Sequence, residues 1–345
     1  MKTLVIVESP AKAKTIGKYL GNDYEVLPTI GHIRELPKKD AIDPNNNYEM
    51  TYIISPGKED AIKKITASAK TCDEIILATD PDREGEAIAW HVADILETKN
   101  QKKIAGKNIK RAVFYEISKD AVKKAVQSPG EIAMDMVLSQ ETRRALDRHF
   151  GFTLSPLLWR LFPSNNHSAG RVQSPALRLI VEREKEIEAF QPQEYWSIDA
   201  EIKKDSSFQV KLASFEGETV KKFTFSTNAI VESVSNKLEE GCVDGMEATS
   251  ITKASRTQNP KSPFRTSVLQ QQASNKFGFT PKRTMQIAQS LYARDGGGLV
   301  TYIRTDSIEI DLGKLPSIYE KISSFYGENY LEKRSFKNKK EAKNI

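Results

Sequence analysis

Glu74-Ile75-Ile76-Leu77-Ala78-Thr79-Asp80-Pro81-Asp82-Arg83-Glu84 reads as a buried strand, an acidic turn and the start of a helix. The apolar run has strand length, Asp80-Pro81-Asp82 breaks it, and a helical period follows from Glu84 to about Glu97. The same order occurs at the N-terminus: Leu4 to Val7 is apolar, Glu8 follows, and Ala11 to Leu20 has helical spacing with lysines on one side. A further apolar run, Ala112-Val113-Phe114, closes the segment. Apolar strands alternating with helices predict a parallel sheet covered on both faces, with ligands at the carboxyl ends of its strands. Glu8 and the acids from Asp80 to Glu84 fall at such ends.

Outward from this region the pattern changes. A chain of 345 residues exceeds one ordinary core and predicts several domains. From about Lys119 to Phe190 the period is helical and charged, interrupted by a loop at Phe162-Pro163-Ser164-Asn165-Asn166. Between Glu194 and Thr252 alternation takes over, as in Tyr195-Trp196-Ser197-Ile198-Asp199-Ala200-Glu201-Ile202, predicting antiparallel strands with one wet face. After Pro260-Lys261-Ser262-Pro263 the helical period returns from Thr266 to Tyr292, and the tail from Lys333 to Lys343 is lysine-rich. No internal repeat is found. The fold class is α/β plus α+β, multidomain.

Composition excludes several classes. Cys72 and Cys242 are too few for a disulfide framework or a four-ligand zinc module, which predicts free thiols in a reducing compartment. The opening apolar run is too short for a signal peptide and no stretch reaches membrane length, so the expected location is cytoplasmic. The net charge of +6 is compatible with a polyanion-binding surface and does not by itself demand one.

The candidate chemistry lies in four places. Glu8 and Asp80-Pro81-Asp82 can converge carboxylate oxygens of the kind that Mg²⁺ uses, although acids before a helix also serve as caps. Lys12, near a helix start, calls for an anionic partner such as phosphate, whereas Lys14 reads as a solvated lysine. Ser168-Ala169-Gly170-Arg171-Val172-Gln173-Ser174 precedes a long helix and can cradle a nucleic-acid backbone, or be a plain junction capped by Ser168. Thr301-Tyr302-Ile303-Arg304 is read as a strand with Tyr302 and Arg304 on one face; a tyrosine there is commonly a packing residue. With a guanidinium beside it, the phenol is a candidate nucleophile toward a phosphodiester. Arg143, Arg144 and Arg148 taken alone are a solvated helix face.

Four segments in order, Ile6-Val7-Glu8-Ser9-Pro10-Ala11-Lys12-Ala13, residues 78–87, residues 168–174 and Thr301-Tyr302-Ile303-Arg304-Thr305-Asp306-Ser307, resemble the signatures of type IA DNA topoisomerases. Their wording is nearest the bacterial topoisomerase I branch. The resemblance implies a Toprim (Rossmann-like) domain at 1–117, a helical DNA-binding domain at 118–192, a β-rich arch at 193–255 and a catalytic tyrosine domain at 256–345. Together these would be an incomplete part of the family's toroid. It implies Tyr302 as the nucleophile that forms a 5′-phosphotyrosyl bond, Arg304 and Lys12 at the scissile phosphate, and Glu8, Asp80 and Asp82 on Mg²⁺. Glu8 would also move a proton at the leaving oxygen. DNA contacts are implied for His32, Arg144, Arg148, Ser168, Ala169, Gly170, Arg171, Val172, Gln173 and Arg304. The implied enzyme is a monomer that acts on a single-stranded segment of negatively supercoiled DNA without ATP.

Two departures from the family pattern stand out. Pro163-Ser164-Asn165-Asn166-His167 replaces the basic residues usual before Ser168, and the histidine segment that follows the tyrosine motif in the family is missing before Ile345. The chain is therefore read as an N-terminal fragment. The rival expectations are a catalytically incompetent fragment that binds single-stranded DNA, and a Toprim enzyme of another class such as a primase or nuclease.

Overall fold

The computed structural model describes residues 2–39, 41–98, 104, 107–162, 167–203, 206–243, 245–294 and 296–337. They form two compact units: Met1–Arg171 with Pro260–Ile345, and Val172–Asn259.

The first unit begins with β1 (Thr3–Val7), α1 (Pro10–Leu20) and β2 (Tyr24–Pro28). Four two-residue strands follow: β3 (Arg34–Glu35), β4 (Ile42–Asp43), β5 (Glu49–Met50) and β6 (Ile53–Ile54), with β3 paired to β6 and β4 to β5. Next come α2 (Glu59–Thr71), β7 (Glu74–Leu77), α3 (Arg83–Thr98), β8 (Asn108–Arg111), α4 (Lys119–Gln127) and α5 (Met134–Leu161). The main sheet has the order β2-β1-β7-β8 and every pairing in it is parallel.

Both faces of this sheet are covered, as the apolar runs predict. All of β1 is buried, and the strand's period of two sends its residues to opposite cores. Leu4 and Ile6 join Ile75 and Leu77 against Ile62 and Ile65 of α2 and Val92 and Leu96 of α3. Val5, Val7 and Ile76 face Ile16 of α1 and Val122 and Val126 of α4, and the same cluster takes in Tyr292 and Tyr302. The last strand lies earlier than the run 112–114 suggested. β8 is an edge and tolerates the polar Asn108-Ile109-Lys110-Arg111, while Ala112 continues its ladder through a 2.9 Å bond to the Leu77 carbonyl. Phe114, the end of the apolar run, is buried in the second core.

The second unit holds α6 (Gln173–Ala189), β9 (Asp199–Lys203), β10 (Ser207–Lys211), β11 (Ser214–Phe215), β12 (Glu218–Thr219) and α7 (Asn228–Gly241). β9 pairs with β10 and β11 with β12, both antiparallel. The region read as β-rich thus contains a helix. Ile230, Val231, Val234 and Leu238 carry a helical stripe that the neighbouring strand alternation obscured. The strand also starts at Asp199, after the quoted alternation has begun.

The chain returns to the first unit with α8 (Thr266–Phe277), α9 (Pro281–Tyr292), α10 (Leu315–Tyr326) and a 3₁₀ turn at Glu328–Tyr330. Gly278, at φ 67°, ends α8 in the left-handed region, and the Thr280 hydroxyl caps α9. Helix α10 was not anticipated. The stretch around Tyr302 bends at 299–301 and at 303 and belongs to no strand, so the strand expectation there is corrected. It is held by isolated bonds rather than a ladder: Tyr302 N to the Tyr115 carbonyl at 2.7 Å and Gly298 N to the Ile117 carbonyl at 3.1 Å. The expected loop at 163–166 and most of the lysine-rich tail lie outside the described residues.

Candidate active site

β1 and β7 are adjacent and parallel, with Ile6 opposite Leu77, so the residues after them leave the sheet side by side. Glu8 follows β1, and Ser9 caps α1 by accepting from Lys12 N at 3.3 Å. That cap places Lys12 in the first helical turn, 1% exposed, with its ammonium bonded to the carboxylates of Glu8 and Asp80. A buried cation at a helix N-terminus is unfavourable unless anions compensate it, and these two carboxylates do so. The Asp80 amide also donates to Glu8 Oε2 at 3.0 Å. Burial pushes the Glu8 carboxyl up to about 7, with Lys12 opposing the rise and Asp80 adding to it. Glu8 is thereby tuned to exchange a proton near neutrality.

The turn after β7 is fixed by contacts that its sequence permits. A Cβ on Gly85 would lie 2.2 Å from the Asp80 carbonyl oxygen, so only glycine lets α3 start this close to the turn. Beneath it Arg111, 2% exposed, donates to the carbonyls of Leu77, Thr79, Asp80 and Ala112 at 2.6 to 3.1 Å and pairs with Glu86 at 2.8 Å. Glu86 accepts in addition from Ala133 N at 2.7 Å. The buried pair is fully bonded and locks the carbonyl of Asp80 in place.

Asp82 divides its carboxylate. Oδ1 accepts from Gly85 N at 2.8 Å and caps α3, while Oδ2 accepts from the Tyr302 hydroxyl and from Arg304 Nη1 at 3.2 Å. Capping and a place in the site are both realised in one side chain. Tyr302 and Arg304 do share a face, although no strand imposes it. Thr266, at the start of α8, holds their segment: its hydroxyl donates to the Ile303 and Thr305 carbonyls at 2.8 and 3.1 Å and accepts from Thr305 N at 2.9 Å. Burial pushes the Tyr302 phenol far above its ordinary range, helped by its bond to Asp82 and by Asp80, with Arg304 opposing. In this arrangement the phenol is held as a neutral donor.

A cleft is lined by Glu8, Asp80, Asp82, Glu84, Tyr302 and Arg304. Glu84 accepts from Gln140 at 3.2 Å and faces His32 Nε2 at 3.4 Å; the bond to His32 is the largest cause holding its carboxyl down to about 2. The oxygen donors Glu8, Asp80 and Asp82 suit a hard divalent cation, yet they are not gathered into a cage. Among the described residues no three His, Cys, Asp or Glu side chains cluster closely enough to enclose a metal. The Lys12 ammonium sits between Glu8 and Asp80, and Asp82 turns to Tyr302 and Arg304. The set still fits Mg²⁺, which takes one or two carboxylates and keeps water or phosphate for its other positions.

Comparisons with known proteins bear on the family rather than on the site. A family model described as Toprim domain matches residues 3–117, and one described as DNA topoisomerase matches residues 131–345. The chain belongs to the bacterial type IA DNA topoisomerase family. DNA topoisomerase 1 of Xylella fastidiosa strain Temecula1 is 48% identical over 96% of this chain and 41% of its own length. DNA topoisomerase 1 of Zymomonas mobilis is 43% identical over 99% of this chain and 28% of its own. The solved structure of full-length topoisomerase I from Thermotoga maritima superposes with a TM-score of 0.78 at 37% identity, covering 95% of this chain and 54% of that one. The chain thus spans less than half the length of these curated relatives.

The other residues singled out for topoisomerase chemistry are placed unevenly. His32 follows a tight turn, with Ile30 at φ 59° and Gly31 at φ 85°, and borders the cleft through Glu84. Arg144 and Arg148 are not a solvated face. The Arg144 guanidinium lies 5.7 Å from the Tyr52 ring, while that of Arg148 stacks 4.0 Å from Phe152 and donates to the carbonyls of Pro37 and Lys38 at 2.7 and 2.5 Å. Ser168, Ala169, Gly170 and Arg171 lie in the first unit, Val172 and Gln173 in the second. Ala169 N donates to Ser155 Oγ at 3.2 Å, and Arg171 forms a two-bond pair with Asp147 at 2.8 and 3.0 Å. Ser168 does not cap α6; Val172 is the N-cap residue, without a side-chain bond. Lys14 is exposed, as expected. Sequence reading passed over Tyr292, Arg111 and Gln140, since a tyrosine at a helix end, an arginine in an edge strand and a helical glutamine carry no distinctive spacing.

Proposed function

We propose that this chain carries the strand-cleavage chemistry of a type IA DNA topoisomerase. Tyr302 Oη attacks a DNA backbone phosphorus, the bond to O3′ breaks, and the phosphorus becomes a 5′-phosphotyrosyl ester. The phenolic proton leaves to solvent through the acidic cleft, and Glu8, protonated near neutrality, supplies a proton to the departing O3′. Arg304 and Lys12 hold the scissile phosphate and balance the charge that builds on it. One or two of the carboxylates of Glu8, Asp80 and Asp82 would hold Mg²⁺, which would supply positive charge beside the phosphate. Resealing reverses the attack, so no ATP is required.

The observation that carries this reading is the bond from Tyr302 to Asp82, residues 220 apart in sequence, with Arg304 on the same carboxylate oxygen. DNA phosphate would replace Asp82 as the partner of Arg304. His32, Arg144, Arg148 and residues 168–173 are proposed as DNA contacts, and the division into 1–117, 118–192, 193–255 and 256–345 as the domain plan. The protein is proposed to be a cytoplasmic monomer that relaxes negatively supercoiled DNA through a single-stranded segment. No helix among the described residues is long and apolar enough to cross a membrane.

One observation favours a second reading, a chain that binds single-stranded DNA without cutting it: Tyr302 is only 8% exposed and its hydroxyl is already engaged. Incubating the chain with a 3′-labelled single-stranded oligonucleotide and Mg²⁺, then denaturing, separates the two. A labelled covalent adduct that disappears in Tyr302→Phe supports cleavage; binding without adduct supports the second reading. Release of 5′-phosphate ends without adduct would instead point to a Toprim nuclease.

A further inference from the structure

We propose that Tyr292 is a positioning residue for the cleavage site, its ring the surface on which Tyr302 and Lys12 are set relative to Asp80. This rests on the reading of Tyr302 as the nucleophile.

Tyr292 ends α9 and has no exposed surface. Its ring meets the Tyr302 ring edge-on, with centroids 5.5 Å apart and planes at 69°. The Lys12 ammonium lies 4.9 Å from the centre of the same ring. The Tyr292 hydroxyl reaches Asp80 Oδ1 at 3.3 Å, the oxygen that also accepts from Lys12. Tyr302, Lys12 and Asp80 come from three places: the segment after α9, helix α1 and the turn after β7. One side chain touches all three.

The backbone strengthens the assignment. After α9 the chain doubles back over Tyr292: Leu299 N donates to the Leu291 carbonyl at 2.9 Å, and a Cβ on Gly298 would lie 2.6 Å from the Tyr292 carbonyl oxygen. Glycine at 298 therefore permits the close reversal that returns Tyr302 onto the Tyr292 ring. An edge-to-face pair restricts the angle of both rings, and a π face attracts an ammonium at a defined height. Both orientations depend on the ring, and the hydroxyl adds only the rotation of Asp80.

Tyr292→Phe keeps the ring and Tyr292→Leu removes it; Tyr292→Met, whose flexible chain fills the space without a π face, stands in if the leucine variant does not fold. With saturating single-stranded oligonucleotide and Mg²⁺, adduct formation should stay within about threefold of the parent in the phenylalanine variant. It should fall roughly tenfold to a hundredfold in the leucine or methionine variant, with unchanged oligonucleotide Kd. Without DNA, acylation of Tyr302 by N-acetylimidazole, read by mass spectrometry of its peptide, should be faster in the ring-deleted variant and unchanged in Tyr292→Phe. Equal acylation across the variants overturns the proposal, and so does a rate loss accompanied by a matching loss of binding. If the parent forms no adduct, cleavage falls as the function, while the acylation comparison still decides whether Tyr292 positions Tyr302.

Discussion

Two regions of this chain are equally regular in secondary structure and bury very different amounts. Around β1 and β7 every apolar strand residue is interior, and helices close both faces of the sheet. In residues 172–259 only Phe225 and Val234 are buried among the described residues, and Leu177, Leu179, Ile180 and Ile187 of α6 are 58% to 67% exposed. A helix satisfies its own backbone hydrogen bonds, so α6 can have full helical geometry with no apolar partner. Burial requires a second layer, and the first unit builds one from segments far apart in sequence. The proposed chemistry falls in that unit, where a phenol, a cation and acids from distant segments can stay in register on a rigid core.

Substitutions on one side only are the way to break this contrast. The largest effect is expected from Arg111→Ala, which leaves Glu86 buried without its cation and takes one donor from each of four carbonyls. About 3–5 kcal/mol should be lost in urea unfolding of the sheet-bearing unit; a loss below about 1 kcal/mol would remove Arg111 from the scaffold of the acidic turn. Ile6→Ala, at a position with no exposed surface, should cost about 2–5 kcal/mol through lost burial and a residual cavity. Its counterpart Ile187→Ala, 58% exposed, should stay within about 0.5 kcal/mol, and similar costs at the two sites would erase the distinction.

A pH-dependent probe of the buried side of the contrast concerns His91, which has no exposed surface. Its ring packs 4.5 Å from Tyr52 and 4.8 Å from Trp90, and neither ring nitrogen has a hydrogen-bond partner among the described residues. Burial, reinforced by Arg34 and Arg144, holds the imidazole down to about 3. The unfolded chain therefore binds the proton more readily between about pH 6.5 and 3, so stability falls as pH drops through that window. Glu8 acts in the opposite sense: its raised folded value favours the folded state as pH falls from about 7 toward 4.5. Glu8 is common to parent and variant, so the comparison with His91→Leu isolates the histidine. The parent should lose up to about 1.4 kcal/mol per pH unit more than the variant on acidification, measured by urea unfolding from pH 7 to 5. Parallel stability curves would sink the idea.

Much of the first unit was legible because its period and its burial coincide: β1 and β7 are apolar throughout, and a strand buried on both faces has to be. β8 was misplaced by a few residues because an edge strand need not be apolar. Helix α7 was missed since its stripe follows directly on alternating strands, and α10 went unanticipated. At the site, the spacing of Tyr302 and Arg304 and the strand-end acids were visible, while Tyr292, Arg111 and Gln140 were not. Their importance comes from contacts with residues up to 212 positions away, as between Tyr292 and Asp80, and local spacing carries no trace of such contacts.

By itself the amino-acid sequence determined the parallel sheet, the acids at the ends of β1 and β7, and the pairing of a phenol with a guanidinium, since these follow from hydrophobic period and residue chemistry within short windows. Only the tertiary structure decided that Lys12 lies between Glu8 and Asp80, that Asp82 both caps α3 and holds Tyr302, and that Tyr292 meets Lys12, Asp80 and Tyr302. The physical reason is that a buried charge or hydroxyl must find its partners wherever packing places them, and packing joins segments according to shape and burial rather than order along the chain.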